Sequence, residues 1–487
     1  MNYYKLSIMK KILSAITFLA LAVSLFSSCK KAATDKRDLY INVPAPANPI
    51  SDAAPLCGNV KGTMLSGKTY TVGCDIYVQA TDSLIIQPGV RVNFTNGAGI
   101  IVKGSFFSLG TKDEPVWLTV AGQTKTDQPT VNYNAGKDSA FKGLWKGVLG
   151  DATAKYMIFK WTHLEYCGAT LNAGGSTAYT VLNLVATDPS YAVYFSNPNG
   201  YLVMEDSWIY GTVDDAIRVS GAGGKFALLR NTFEKCGRTG GDVLNIKSGG
   251  TGDMAYNLFI GDATNGLKAS DKGSGPGILK CNVRMYNNTV INGGYRQTKT
   301  GRGGSINFEE GARGMAFNNL IVNCKFGLRI LSNVAADTTY LYAGNYGYNY
   351  YWADSLSVAS EIYPTTYITK PQTTDLPSYS TFLPANFNYL SNTGYQATAV
   401  NAVQKGNPLF FNYPLPVTGG YRLQDINAIG NFKFTLQPGS PCVGKGYKGF
   451  VPLQLVPIDE KYGVTDYSQP GSDIGCYQVN GKGNQHF

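Results

Sequence analysis

Three aspartates and a row of polar residues are the groups in this 487-residue chain that could do chemistry. Asp214 and Asp215 stand directly before the apolar segment Ala216-Ile-Arg-Val219, and Asp242 holds the same place before Val243-Leu-Asn-Ile246. Stacked as neighbours, Asp215 and Asp242 would come close enough for their charges to repel and for one pKa to rise. Paired carboxylates of this kind serve as acid and base in glycoside hydrolysis. The same oxygens suit a hard cation such as calcium, and Asp is also an ordinary strand-flanking residue that bonds nearby backbone. The loop Tyr295-Arg-Gln-Thr-Lys-Thr-Gly-Arg302 adds three cations, Arg296, Lys299 and Arg302. They read either as a clamp for a carboxylated sugar or as a solvated basic loop.

A repeat must position these groups. One short pattern returns as Asp206-Ser-Trp-Ile-Tyr-Gly211, Asn231-Thr-Phe-Glu-Lys-Cys-Gly237, Asn257-Leu-Phe-Ile-Gly261, Asn288-Thr-Val-Ile-Asn-Gly293 and Asn319-Leu-Ile-Val-Asn-Cys324. Alternating apolar strands and polar turns at a fixed period of about 26–31 residues are the signature of a solenoid, and no helical period competes. The expected fold is all-β, a parallel β-helix. Its recurring Asn231, Asn257, Asn288 and Asn319 read as an internal amide ladder that satisfies one turn of every coil.

Each copy is followed by a second strand, and alternate residues of a strand face opposite sides. Val193, Ile217, Leu244, Leu267, Ile306 and Leu328 form one inward column, and Phe195, Val219, Ile246, Ala269, Phe308 and Ile330 another. The residues between them, Tyr194, Arg218, Asn245, Lys268, Asn307 and Arg329, must point outward. With coils about 4.8 Å apart, they would form one polar stripe. It reads as a track for an extended sugar chain or as an ordinary solvated face.

The N-terminus reads as a secretory signal. Lys5, Lys10 and Lys11 precede the apolar run from Ile12 to Phe26, which is shorter than the ~20 residues of a membrane span. Its end, Ser27-Ser28-Cys29, resembles a bacterial lipoprotein lipobox, with Phe26 at the usual Leu position. The resemblance implies lipidation of Cys29, residues 1–28 as signal peptide, and residues 29–56 as a tether. The formal charge falls from +10 to about +7 without the leader lysines, a balance that favours acidic partners such as polyanionic glycans. Nucleic acid is not an expected partner of an exported protein. Besides Cys29, eight cysteines lie in an oxidising compartment. Cys57 and Cys74 bracket a short segment at the solenoid's start, and Cys442 and Cys476 stand near its end. With no CxxC and no Cys/His cluster, a zinc site is not expected.

The first coils, Leu84-Ile-Ile-Gln-Pro-Gly-Val-Arg-Val-Asn-Phe94, Gly99-Ile-Ile-Val-Lys-Gly104, Leu109-Gly-Thr and Pro115-Val-Trp-Leu-Thr119, resemble the opening of right-handed parallel β-helix proteins of the pectate-lyase-like kind. The tail, Phe434-x-Leu-x-Pro-Gly-Ser-Pro-Cys442 with Asp473-Ile-Gly-Cys-Tyr477, resembles the C-terminal end of surface β-helix proteins of Bacteroidetes type. Cys442 and Cys476 both stand where that pattern carries Ala, which implies a disulfide between them. The resemblance covers roughly 57–335 and 406–478 and implies a solenoid over 57–335 and a solenoid end over 406–487, while the Tyr-rich stretch 336–405 reads as a decorated coil with a long insertion. Asp214-Asp-Ala-Ile also resembles the Asp-Asp-x-Ile element of polygalacturonase-like hydrolases. That family's Asn-Thr-Asp-Gly, Gly-His-Gly and Arg-Ile-Lys elements are missing, as is the His motif of pectate lyases. His163, in Trp161-Thr-His-Leu-Glu165, reads as a surface or turn residue.

The expectation is therefore a lipid-anchored outer-membrane surface protein that binds polysaccharide along one face without full catalytic machinery. One alternative is a polysaccharide lyase or glycoside hydrolase acting on an acidic glycan through Asp214, Asp215, Asp242 and the basic loop. Another is a structural adhesin, either monomeric or a subunit of an outer-membrane complex.

Overall fold

In the computed structural model, the described residues are 49–125, 138–220, 224–271, 279–299, 302–330, 346–353, 358, 407–413 and 432–486. The expected signal segment, Cys29, most of the expected tether and most of the Tyr-rich stretch lie outside them.

The body is a parallel β-solenoid in which each coil contributes to three ladders. One coil supplies Tyr201–Glu205, Trp208–Thr212 and Ile217–Val219. The next supplies Lys225–Leu229, Thr232–Glu234 and Leu244–Lys247. Among the described residues, the first ladder holds ten strands. The second and third join through Thr69–Val78, whose first half pairs with Arg91–Phe94 and whose second half pairs with Ile100–Val102.

Coils register through side chains that repeat at the same place. At the corner between the first and second ladders, Trp161, Asp206, Arg230, Tyr256, Asn287, Asn318 and Tyr348 adopt a φ of 45–60°. That left-handed conformation costs roughly 1–2 kcal/mol at a non-glycine residue, so something must hold the corner. The next residue does so. Asn231 Nδ2 donates to Met204 O (2.8 Å) in the coil before, while its backbone N–H donates to Asn257 Oδ1 (2.9 Å) in the coil after. Asn257, Asn288 and Asn319 repeat this arrangement, and Asn349 extends it by one coil. All five are fully buried, so each amide satisfies groups that would cost about 1–3 kcal/mol unpaired. Aromatic stacking fills the core between them, with Phe94 on Trp145 at 3.9 Å and Phe233 on Phe259 at 5.1 Å.

Two additions decorate the stack. An insertion between Gly168 and Tyr191 carries a short helix, Ala178–Leu182, and its base is closed by antiparallel pairing of Thr170 with Pro189. The C-terminal segment does not add a coil; it runs along the flank as a strap. Leu453 and Gln454 donate backbone N–H bonds to Asp253 (2.9 Å each), and Lys160 donates to Asp459 O, Glu460 O and Thr465 Oγ1. Arg230 donates to Asp466 O and Ser468 Oγ while pairing with Glu205 and Asp206. Farther along, Asn287 donates to Asp473 O, and Asn484 to Asn231 O. A separate two-stranded antiparallel sheet, Phe410–Asn412 with Lys433–Leu436, precedes the strap.

Cys57 and Cys74 are joined as a disulfide across 5.0 Å between Cα atoms. Cys442 and Cys476 are instead free thiols, both fully buried. Two Ala positions of a packed tail accept Cys as a small apolar residue, so the implied bond does not form here.

Candidate functional site

The polar stripe exists in the register expected. Tyr194 pairs with Arg218, Arg218 with Asn245, Asn245 with Lys268, Lys268 with Asn307, and Asn307 with Arg329. Its exposure is not as expected. Tyr194, Asn245, Asn307 and Arg329 are all buried, and Arg218 and Lys268 keep only 24% and 11% of their side chains exposed.

Most polar groups can be buried there because they pair with one another, while the side-chain oxygens of Asn245, Asn265 and Asn307 have no partner among the described residues. Arg218 donates to Asp215 (2.7 Å) and to the Tyr191 hydroxyl, whose ring lies 4.4 Å from the guanidinium. Asp215 also accepts from the Asp242 backbone N–H (2.7 Å) and from Asn245 Nδ2 (2.8 Å). The Asn245 amide reaches Asp242 as well (3.3 Å), and Asn265 donates to that carboxylate at 2.7 Å. Lys268 closes the row between Asp242 (3.2 Å) and Glu309 (2.6 Å), and Asn307 donates to Glu309 (3.1 Å).

The expected Asp215–Asp242 repulsion is offset: the Asn245 amide bridges the two carboxylates and each pairs with a cation. Burial alone would raise the Asp242 pKa, but Lys268 and the Asn265 donor outweigh it and hold the carboxyl below its ordinary value. The carboxyl that does rise is Asp214, pushed up to about 7 by burial and by the adjacent Asp215 charge. Between Asp242 and Glu309 the Lys268 ammonium already supplies the positive charge. Among the described residues, no group of three His, Cys, Asp or Glu is arranged to hold a metal.

The basic loop divides. Arg296 is buried and donates to the carbonyls of Cys236, Gly237 and Gly261, with its guanidinium 4.8 Å from the Phe141 ring. It ties together successive turns and is not a clamp. Lys299 and Arg302 are exposed. His163 is not a turn residue but a half-buried one in a strand. It lies within the strand Thr162–Cys167, between Trp117 (4.2 Å) and Trp208 (5.4 Å), and burial lowers its pKa well below the usual imidazole range. His486 also stacks on Trp208 at 5.6 Å, and the Lys125 ammonium lies 4.4 Å from the Trp208 ring.

Open space lies instead at the corner between the second and third ladders, beside the insertion. A cavity of about 700 Å³ is lined by the Cys57–Cys74 bridge, Tyr77, Asn96, Ser176 and Thr177. A second, of about 410 Å³, is lined by Asn96, Lys142, Thr170, Pro189, Val213 and Arg238. Asn96 and Ala173 line both, so the two basins adjoin along the stack. Glycine backbone forms much of the walls, at Gly58, Gly73, Gly97, Gly143, Gly168, Gly174 and Gly175. At Gly143 an added Cβ would meet Gly168 O at 2.4 Å, with φ at +61°, so only glycine lets the backbone approach this closely. Underneath, Lys146 is fully buried and donates to Asp75 (2.9 Å), Gly97 O (2.7 Å) and Ala173 O (3.2 Å). Asp75 also accepts from Gly99 N–H and from the Ser176 hydroxyl. This ion pair fastens the insertion to the first coils.

The groove and its cations Lys142 and Arg238 carried no repeat signal, since they belong to turns and insertions. Glu309 did carry one. It lies two residues beyond Asn307 on the same strand face, in a column with Ser270 and Lys247. Tyr191 and Asn265 reach the row from loops, where no periodicity places them. No family model, curated protein or solved structure matches the chain.

Proposed function

We propose that this chain is an exported, lipid-anchored protein of the outer-membrane surface, a right-handed parallel β-helix that binds carbohydrate in the corner groove. The observation that carries the reading is the pair of adjoining basins. Both fall in the ~300–1,000 Å³ range typical of ligand sites. Their walls expose glycine backbone, hydroxyls and amides, the donor and acceptor set that sugar hydroxyls need. The stripe Tyr194–Arg329 is a framework in this reading, and the groove beside it is the contact surface. Lipidation at Cys29 would hold the body at the membrane through the tether 29–56.

Thr177 is exposed on the wall of the larger basin. Binding measured by affinity electrophoresis against neutral and acidic polysaccharides should fall at least tenfold in Thr177→Trp, with the unfolding midpoint unchanged. Unchanged binding in a folded Thr177→Trp variant removes the groove from the reading.

An enzymatic reading keeps one specific support, the Asp214 carboxyl, whose pKa is pushed up to about 7 by burial and by the adjacent Asp215. Release of reducing ends or of unsaturated, ultraviolet-absorbing products, abolished by Asp214→Asn, would favour it.

A further inference from the structure

The larger basin offers a ligand no net charge. No Lys, Arg or His is among the described residues that line it. Its one carboxylate is fully engaged: Asp75 Oδ1 accepts from Gly99 N–H and from Lys146 (2.9 Å each), and Oδ2 accepts from the Ser176 hydroxyl. A charged group entering there would lose water and find no counter-charge in its place. Tyr77 is the one ring on the wall. It stands in the third ladder between Asn59 and Ile101, where the cover supplied by the insertion ends. Ile101 is buried under that cover, Tyr77 is half-buried at its edge, and Asn59 is exposed. Among the described residues, no other ring and no cation stacks on Tyr77, and its hydroxyl has no hydrogen-bond partner. The Tyr191 ring and hydroxyl, by contrast, are both taken by Arg218. Two further polar groups on the wall are open. Asn96 Nδ2 donates to Gly73 O (3.1 Å), which leaves its Oδ1 as an acceptor, and the Thr177 hydroxyl is exposed.

We infer that the larger basin is a subsite for an uncharged sugar and that Tyr77 is its stacking residue. A pyranose presents C–H groups on one face and hydroxyls around its rim. The phenol ring gives the C–H face a broad apolar surface, while Asn96 Oδ1 and the Thr177 hydroxyl take hydroxyls of the rim. The inference rests on the proposed carbohydrate-binding groove. It adds a ligand class, neutral polysaccharide, and the residue on which affinity for it depends.

The test presents the full chain with neutral polymers (dextran, xylan, galactomannan) and with two anionic ones, polygalacturonate and dextran sulfate. The unaltered protein should bind at least one neutral polymer at least tenfold tighter than either anionic polymer, and raising the salt should leave that affinity unchanged. Tyr77→Leu keeps an apolar side chain against Ile101 and removes the ring. It should weaken neutral binding at least tenfold, whereas Tyr77→Phe, which keeps the ring, should stay within threefold. A second readout does not depend on the stability of the leucine variant. In proton NMR spectra of the bound neutral oligosaccharide, ring C–H signals should shift upfield with the unaltered protein and with Tyr77→Phe. Tighter binding of an anionic polymer overturns the inference, as does a folded Tyr77→Leu variant within twofold of the unaltered protein. Equal loss in Tyr77→Phe and Tyr77→Leu, or no upfield shift, overturns the stacking role. In any of these cases, polymer binding that is still blocked by Thr177→Trp leaves the groove standing. No binding to any polymer overturns both.

Discussion

The third ladder's outer column changes character halfway along, and the two halves solve one problem differently. In the early coils the column is Tyr77, Ile101, Leu149 and Tyr194, paired in register. It is apolar and packs against Leu171, Ala178, Leu182 and Tyr191 of the insertion. In the later coils the same column is Arg218, Asn245, Lys268, Asn307 and Arg329, and charge pairs and amides close over it. Strand geometry makes both halves point outward. What lies above them decides whether outward means exposed, and here neither half is a free surface.

The halves should break differently. Lys268→Met leaves Asp242 and Glu309 without their shared cation, and should cost about 3–5 kcal/mol in urea unfolding. Adding Asp242→Asn and Glu309→Gln should recover most of that loss; no recovery would mean that Lys268 acts through its packing. In the apolar half, Leu149→Ala should cost about 2–4 kcal/mol through lost burial and a residual cavity, with no dependence on salt. Swapping the character of the two results would show that the register, not the cover, sets the energetics.

Acid should separate the halves further. Asp242 is held below its ordinary pKa in the fold, so its contribution is present above the unfolded value of 3.8 and is lost as pH falls through the folded one. Amide exchange, corrected for intrinsic rate, should therefore quicken around 244–270 on acidification while 100–102 and 148–150 hold. The smallest effect has the opposite sign. Asp214 is raised to about 7, so its contribution is present below 3.8 and is lost as pH climbs toward 7. Asp214→Asn should stabilise the protein at pH 8 by on the order of 1 kcal/mol and leave it unchanged at pH 3.

Asn231 and Arg218 show how far the residues alone could be followed. Asn231 lies in a repeat, and repetition at one corner implies that each copy contacts the next; the amide ladder was legible for that reason. Arg218 was placed correctly in register and on the correct face, since both follow from a period of two. Its partners were only half legible. Asp215 is three residues away, but Tyr191 comes from an insertion whose path no periodicity encodes. Cys442 and Cys476 failed as a pair for a related reason: a shared motif position sets neither distance nor sulfur direction.

The sequence by itself determined the solenoid, the ladder register, the inward columns and the asparagine corner, because each is a local rule repeated coil after coil. Only the tertiary structure decided that the stripe is sealed, that Arg296 staples turns, that the tail is a strap along the flank, and that open space lies beside Lys142 and Arg238. Those outcomes depend on where long, non-repeating segments come to rest. That is settled by shape and charge across the whole surface and not by the spacing of residues along the chain.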